Sequence, residues 1–176
     1  MLERYRYSDK EKRKILDSIV YLVDTREKKN DHIIKVFEHY QIPYQKKALK
    51  CGDYSFYIPS DKELGIEKDL YFDNEIIIER KASLEELSQN FTRGRDRFEK
   101  ELALAPPLKV ILIENNNYSD LVHHNYETNY SEKSYLSSLH QFWFRYNCPV
   151  FMIKNARDSV VFIRYYFQAY VKELLR

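Results

Sequence analysis

Apolar and polar positions along the chain fall into short runs, and their spacing assigns most of them to a strand or a helix. Residues 1–17 are charged, with apolar positions only at Leu2, Tyr5, Tyr7, Ile15 and Leu16, which predicts a charged N-terminal arm or short helix. Residues 19–24 form an apolar run that ends in charges and read as a first core strand. Ile33, Ile34, Val36, Phe37 and Tyr40 then recur at helical spacing, with Asn30 or Asp31 where a cap belongs and Pro43 as the stop. Residues 44–49 and 54–58 are short and partly alternating, so two strands are expected, joined by Gly52 and Asp53. The polar stretch 59–74 is an excursion between paired strands. Three isoleucines, Ile76 to Ile78, mark the centre of a buried strand over 75–79. Ser83-Leu84-Glu85-Glu86 is a capping box, and Pro106-Pro107 end the helical stretch that it opens. Residues 108–113 read as a further buried strand, 115–130 as an Asn- and Tyr-rich loop, and 149–153 as a last strand. Tyr135, Leu136, Leu139, Phe142, Trp143 and Tyr146 trace one helical face. Asn155 with Asp158 caps a final helix to about Leu175. The order β-α-β-β-β-α-β-α-β-α makes an α/β fold with a mixed central sheet flanked by helices, as one domain over 18–176.

Composition narrows the class. The chain has 176 residues, 44% hydrophobic and 32% charged, enough for one domain with a sizeable core. No apolar run reaches membrane-spanning length, and the charged start does not read as a secretory signal. Cys51 and Cys148 form no metal-binding or disulfide pattern, which fits a reducing cytoplasm. Net charge is only +2, so a case for nucleic acid has to rest on local clustering.

Charges cluster where the isoleucine strand ends, at Glu79, Arg80 and Lys81. Side chains alternate along a strand, so Glu79 and Lys81 project together and Arg80 projects to the other side. Pairing of 54–58 with 76–79 as a hairpin would bring Asp53 beside Glu79. Two adjacent carboxylates repel unless a cation lies between them, and oxygen-only ligation favours Mg²⁺ or Mn²⁺. Such an ion polarises a phosphoryl oxygen and activates water, and Lys81 would position that water or steady the developing charge. The first strand also ends in charges, Asp24, Arg26 and Glu27, which offers a further acid. Arg93, Arg95 and Arg97 fall within five positions between Phe91 and Phe98, a pattern suited to phosphate contact and base stacking. Spacing alone leaves open that all of these are ordinary solvated charges at strand ends and on a helix face.

Val23-Asp24-Thr25-Arg26-Glu27, Gly52-Asp53-Tyr54 and Ile78-Glu79-Arg80-Lys81, in that order, resemble the nuclease domain of the XPF-type endonucleases (XPF and Hef) over about residues 19–175. The resemblance implies a restriction-endonuclease-like fold and Mg²⁺- or Mn²⁺-dependent cutting of branched, forked or flapped DNA in repair or recombination. It implies Asp24, Asp53 and Glu79 as metal-binding acids and Lys81 as the catalytic amine. Arg26, Glu27 and Arg80 follow as supporting residues, with Arg26 and Arg80 on phosphates. The family's final aspartate falls here on Glu85. Its tandem helix-hairpin-helix region has no counterpart in these residues, so a separate DNA-gripping subunit is an expected partner. Two rivals stand beside this reading: a catalytically silent DNA-binding or partner-stabilising subunit, and a junction resolvase or restriction-type nuclease.

The remaining candidates are weaker. His123-His124 has no carboxylate at useful spacing and reads as a solvated loop, and His32, His39 and His140, on helices, read in the same way. Cys51 adjoins Gly52 and Asp53, which places a small thiol near the site. On the final helix Val160, Ile163, Phe167, Tyr170, Val171 and Leu174 fill a core face. That leaves Phe162, Tyr165 and Tyr166 for a homodimer contact.

Overall fold

The structure is a computed structural model that describes residues 6–176. The elements run α1 (Asp9–Asp17), β1 (Val20–Asp24), α2 (Asp31–His39), β2 (Tyr44–Lys47), β3 (Tyr54–Ile58), β4 (Leu70–Tyr71) and β5 (Ile76–Lys81). They continue through α3 (Leu84–Phe91), α4 (Arg95–Leu104), β6 (Leu108–Glu114), α5 (Tyr118–Val122), α6 (Glu132–Tyr146), β7 (Val150–Ile153) and α7 (Ser159–Leu174). One sheet holds them in the order β2-β1-β3-β5-β6-β7, with β4 attached to β3. β1 pairs parallel with β2 and antiparallel with β3, while β5, β6 and β7 run parallel. The sheet is therefore mixed. No helix among the described residues is long and apolar enough to cross a membrane.

Alternation along the central strands divides the core in two. Ile76, Ile78, Val110 and Leu112 face one way and pack with Ile15, Ile33, Phe37, Ile163, Phe167 and Val171 from α1, α2 and α7. Ile111 and Ile113 face the other way, onto Leu84, Leu87, Phe91, Phe98, Tyr135, Leu139 and Phe142 from α3, α4 and α6. Apolar runs on both faces of β5 and β6 need helices on both sides, because parallel strands covered twice expose no face to water.

The N-terminal segment is partly a helix. Ser8 and Glu11 form a capping box at its start, Ile15 is fully buried, and Lys14 pairs with Asp61 and Glu63. The expected arm extends into residues 1–5, which lie outside the described residues.

Several elements differ from expectation for identifiable reasons. The strand expected to reach residue 49 stops at Lys47, because side chains of β1 and the loop after it take the backbone of Leu49. The single helix expected up to Pro106 is two. Thr92 bonds back to the Ser88 carbonyl, Gly94 caps the second helix, and the chain turns between them. Glu86 accepts from Ala82 N–H rather than from the cap residue, so only the Ser83 half of the capping box forms. The stretch expected to be a loop contains α5, opened by a capping box between Asn117 and Asp120. Asn155 caps a short 3-10 turn at Ala156–Asp158, not α7 itself. At the end of α7, Leu175 is buried and Leu174 exposed, the reverse of the expected pattern.

An ionic cluster lies inside the first core. β6 ends in Glu114, which is fully buried. It accepts hydrogen bonds from Arg80 Nη2 on β5 and Ser159 Oγ on α7, and His32 Nε2 of α2 lies 2.9 Å away. Arg80 also reaches Glu27 at 3.4 Å. Four elements thus meet on one carboxylate. Burial alone would raise the Glu114 carboxyl, but hydrogen bonds from Arg80, Ser159 and His32 more than reverse this and hold it below the ordinary glutamate range. Its stabilisation is therefore complete above the unfolded value of about 4.3 and lost as pH falls through the depressed folded value. Glu114→Ala, which strands a buried guanidinium, is expected to cost about 3–5 kcal/mol in urea unfolding. Glu114→Gln is expected to cost less, and its deficit should shrink as pH drops below about 4.3.

Candidate active site

The site grows from the turn before β3. Gly52 has φ +74°, and a Cβ there would sit 2.8 Å from Ile77 Cδ1 and 3.2 Å from the Ile78 carbonyl oxygen. Only glycine combines that backbone with that approach. The turn delivers Asp53 into the sheet. Its N–H donates to the Ile78 carbonyl at 2.9 Å, and its carbonyl accepts from Asp24 N–H at 2.8 Å. Its Oδ2 accepts from Arg80 N–H at 2.7 Å. Asp53 therefore joins β1, β3 and β5 at one end.

β5 carries the next two groups. Tyr54 pairs with Ile78, so Asp53 and Glu79 lie at adjacent strand ends. Burial, then the Glu79 charge, push the Asp53 carboxyl well above its ordinary value. Glu79 Oε1 accepts from Lys81 Nζ at 2.7 Å. Burial alone would lower the Lys81 ammonium, but Glu79, with Asp53 and Glu86 behind it, more than reverses this and holds it above its ordinary value. Lys81 is a charged donor at neutral pH, with its ammonium 5.3 Å from the Phe98 ring centre. Between these two residues, Arg80 turns to the opposite face and is spent on Glu114 and Glu27. A phosphate-positioning role for Arg80 does not match this buried placement on the far side of the sheet.

Asp24 lies on the same edge and is buried. Its Oδ2 accepts from Arg26 Nε at 2.6 Å and its Oδ1 from Leu49 N–H at 3.0 Å. Arg26 also holds the Leu49 carbonyl. Asp24, Asp53 and Glu79 all line one depression of about 210 Å³, with Arg97, Lys109 and Cys148 on its other walls. Cys51 lines it too, with its thiol pushed up by burial and then by Glu79; burial pushes Cys148 up to about 12. Among the described residues no group of three or more His, Cys, Asp or Glu side chains is close enough to hold a metal ion. Asp24 is occupied by Arg26 and Leu49, which leaves Asp53 and Glu79 as the crowded carboxylate pair. A hard divalent cation fits that pair, because it would relieve the repulsion that raises Asp53.

The arginine run divides. Arg93 and Arg97 line a second, larger depression of about 800 Å³, and Arg97 borders both depressions. Arg95 turns away, bonded to Glu99 at 3.1 Å and stacked over Phe142. Phe91 and Phe98, expected as stacking platforms, are core residues instead. Glu85 accepts from Glu127 N–H at 2.9 Å and so ties the loop after α5 to α3. His123 bonds to Ser119 of α5 and His124 to the Thr128 carbonyl, and His124 also has the carboxylate partner not expected for it, Glu132 at the start of α6, 3.1 Å away. Three residues of the ionic cluster, Glu114, His32 and Ser159, were not expected from the sequence. Glu114 carries the signal that marks Asp24 and Glu79, an acid closing an apolar run, but the run reads as ending at Ile113.

Residues 23–166 match the ERCC4 domain family. A search of curated proteins finds no match. Among solved structures, the chain is similar to XPF from Aeropyrum pernix at 18% identity and a TM-score of 0.62, over 86% of this chain and 61% of that one. It is also similar to XPF from Aeropyrum pernix in complex with DNA, at 19% identity and 0.63, over 88% and 66%. The chain thus spans 61–66% of the length of those proteins. The shared architecture is the restriction-endonuclease-like fold, a mixed sheet flanked by helices. The family match runs from Val23 through both carboxylate strands and the arginine run to Tyr166, so the chain belongs to the ERCC4 domain family.

Proposed function

We propose that this chain is a divalent-metal-dependent DNA endonuclease that hydrolyses phosphodiester bonds in branched, forked or flapped DNA, in repair or recombination. The observation that carries this reading is the pairing of Asp53 and Glu79 at one strand edge, with the Lys81 ammonium bound to Glu79. Family membership and the DNA complex of a structural neighbour support DNA as the substrate. Asp53 and Glu79 would hold Mg²⁺ or Mn²⁺, with Asp24 as the further acid on that edge. When bound, the ion supplies Lewis acidity at a phosphoryl oxygen and acidifies water. Lys81, kept protonated, steadies negative charge that builds on the phosphorus oxygens. Arg26, two-thirds exposed beyond Asp24, with Arg93 and with Arg97, which is exposed and paired to Glu101 at 2.9 Å, would contact neighbouring phosphates. The proposed location is the cytoplasm, at the nucleoid in a prokaryote, with a separate subunit supplying further grip on DNA.

We propose a second copy of this chain as a partner through α7. Phe162 stacks with Tyr166 and packs at a tilt against Phe151 on the edge strand β7, while Tyr165 stays exposed beside them. Phe151 and Val161 extend the exposed apolar surface. Such an edge, apolar and unpaired, is what a symmetric contact covers.

Labelled fork, flap and plain duplex DNA, incubated with Mg²⁺, Mn²⁺ or EDTA, test the activity. Cutting is expected only with metal and more on forks and flaps than on duplex. Glu79→Gln and Lys81→Met are expected to lower the rate by about 100-fold or more with unchanged circular dichroism. Binding without cutting under every metal would move the chain to the silent-subunit reading.

Asp53 gives a second test. Its folded carboxyl is raised, so the folded state holds the proton longer than the unfolded chain, and metal-free stability falls as pH rises from about 4 through the raised value. A cation bound at Asp53 and Glu79 offsets this at neutral pH. At about 100 times Kd, metal is expected to add about 2.7 kcal/mol, a Tm increase of roughly 5–10 °C. Asp53→Asn should raise metal-free Tm at pH 7 and remove most of the metal increment in thermal unfolding scans.

Sedimentation equilibrium tests the pairing. A dimer is expected, and Tyr165→Glu should weaken it by about 30-fold, the loss of one well-buried aromatic contact.

A further inference from the structure

A second cationic surface lies at the same sheet edge as the carboxylates, but behind the sheet. β1, β5, β6 and β7 run in one direction, so Asp24, Lys81, Glu114 and Ile153 close their strands at one edge. The segments that follow β1 and β7 converge there, although the two strands stand four places apart in the sheet. Together they line a depression of about 600 Å³, with Lys29, Asp31, His32, Lys35 and Val36 from the start of α2 and Arg157 from the turn before α7. Lys29, Lys35 and Arg157 are exposed, and among the described residues their side chains form no ion pair or hydrogen bond. Lys14, Lys47, Arg95 and Arg97, by contrast, each sit on a carboxylate. Three cations around one depression, with Asp31 as the one acid among them, repel one another, and a polyanion relieves that repulsion. The rim is also fixed from below. His32 Nε2 lies 2.9 Å from the buried Glu114 carboxylate, and Ser159 at the start of α7 donates to the same group. A short loop links this surface to the carboxylate site. Arg26 bonds to Asp24 in front of the sheet, Glu27 pairs with Arg80 behind it, and Lys29 reaches the rim. Lys29 follows Arg26 by three residues, at most about 11 Å of chain, or about three base pairs along a duplex.

We propose that this depression holds the phosphate backbone of a duplex arm that leaves the scissile position across the sheet edge, with Lys29, Lys35 and Arg157 as its contacts. Sites for single strands stack successive bases on aromatic rings. No Phe, Tyr or Trp lines this depression, so it offers charge and no stacking platform, which suits a helix whose bases are already stacked inside. Such contacts carry no sequence information and fix the position of the duplex instead. With the carboxylates in front and the cations behind, the duplex lies over the edge formed by the ends of β1, β5, β6 and β7. Arg93 and Arg97, on the α3–α4 side, are left for the other arm of a branched substrate. The chain itself then grips two arms, one on each side of the site.

The inference rests on DNA as the substrate, and its test does not depend on cutting. Lys29→Gln, Lys35→Gln, Arg157→Gln and the triple variant are compared with the wild-type chain and with Lys172→Gln, which removes an exposed charge at the far end of α7. Binding to forks, plain duplex and single strands is measured by fluorescence anisotropy in EDTA over a range of salt concentrations, and cutting is measured separately in Mg²⁺. On forks and duplex the salt slope of log K is expected to fall by about 0.9 in each single variant and by about 2.7 in the triple variant. Lys172→Gln, and all variants on single strands, should keep the wild-type slope. Uncharged methylphosphonate linkages, placed one at a time along the arm, locate the contact. Within about one helical turn of the junction they should weaken binding by the wild-type chain and not by the triple variant. A folded triple variant with the wild-type slope overturns the inference even if the DNA is cut. An equal loss on single strands or in Lys172→Gln does the same, as does failure to bind DNA at all. Should the triple variant lose its circular dichroism, the three single slopes decide. A lowered slope without any cutting upholds the depression and removes the nuclease reading instead.

Discussion

The geometry of the site depends on the backbone and carboxylate of a single residue. Asp53 donates to β5, accepts from β1 and takes the Arg80 N–H on its side chain, so three strand ends are fixed relative to one another by bonds of 2.7 to 2.9 Å. A rigid sheet edge of this kind holds carboxylates close together, which free side chains in water would avoid. The cost is a carboxyl pushed upward by burial and by Glu79. Catalytic sites in general accept such local cost where the chemistry requires it. Gly52 belongs to the same arrangement, because its left-handed backbone lets the turn press against Ile77 and Ile78.

The second organising fact is the period of two along β5. Three consecutive charged residues would be hard to accommodate on one face of a buried strand. Alternation sends Glu79 and Lys81 to the α3–α4 side and Arg80 to the α2–α7 side, where Glu114 completes it. The sheet therefore separates two ionic systems. The front one lines a depression with Asp24 and Asp53, and the back one centres on the fully buried Glu114. A buried pair of the second kind is retained at a desolvation cost, and here it fixes α2, β5, β6 and α7 in one register.

The fold was largely legible because its strands are long apolar runs with abrupt ends. Ile76 to Ile78 and the run before Glu114 are short and rich in β-branched residues, which favours strands over buried helix segments. What escaped was decided by side chains acting on backbone. Leu49 reads as strand, but Asp24 and Arg26 claim its N–H and carbonyl. Gly94 within an otherwise helical stretch did not announce a break, because the Thr92 bond to Ser88 that accompanies it is invisible in a pattern of polarity. For the site, Asp53, Glu79 and Lys81 fall where the strand period places them. The partition of Arg93, Arg95 and Arg97 depended on Phe142 and Glu99, which are distant in sequence. Phe91 and Phe98 were misjudged for a related reason: an aromatic beside an arginine looks the same whether it caps a core or faces a ligand.

The separation of the two faces of β5 has an evolutionary reach. Glu79 and Lys81 pair in front of the sheet without anchoring the helices behind it, while Arg80 and Glu114 do the reverse. Substitutions can therefore accumulate in front while the scaffold behind stays under selection. A gene duplicate of such a chain could lose the front pair in one or two steps and persist as a well-folded companion to its sibling. A lineage built on this sheet can therefore vary its front face widely and still keep one scaffold.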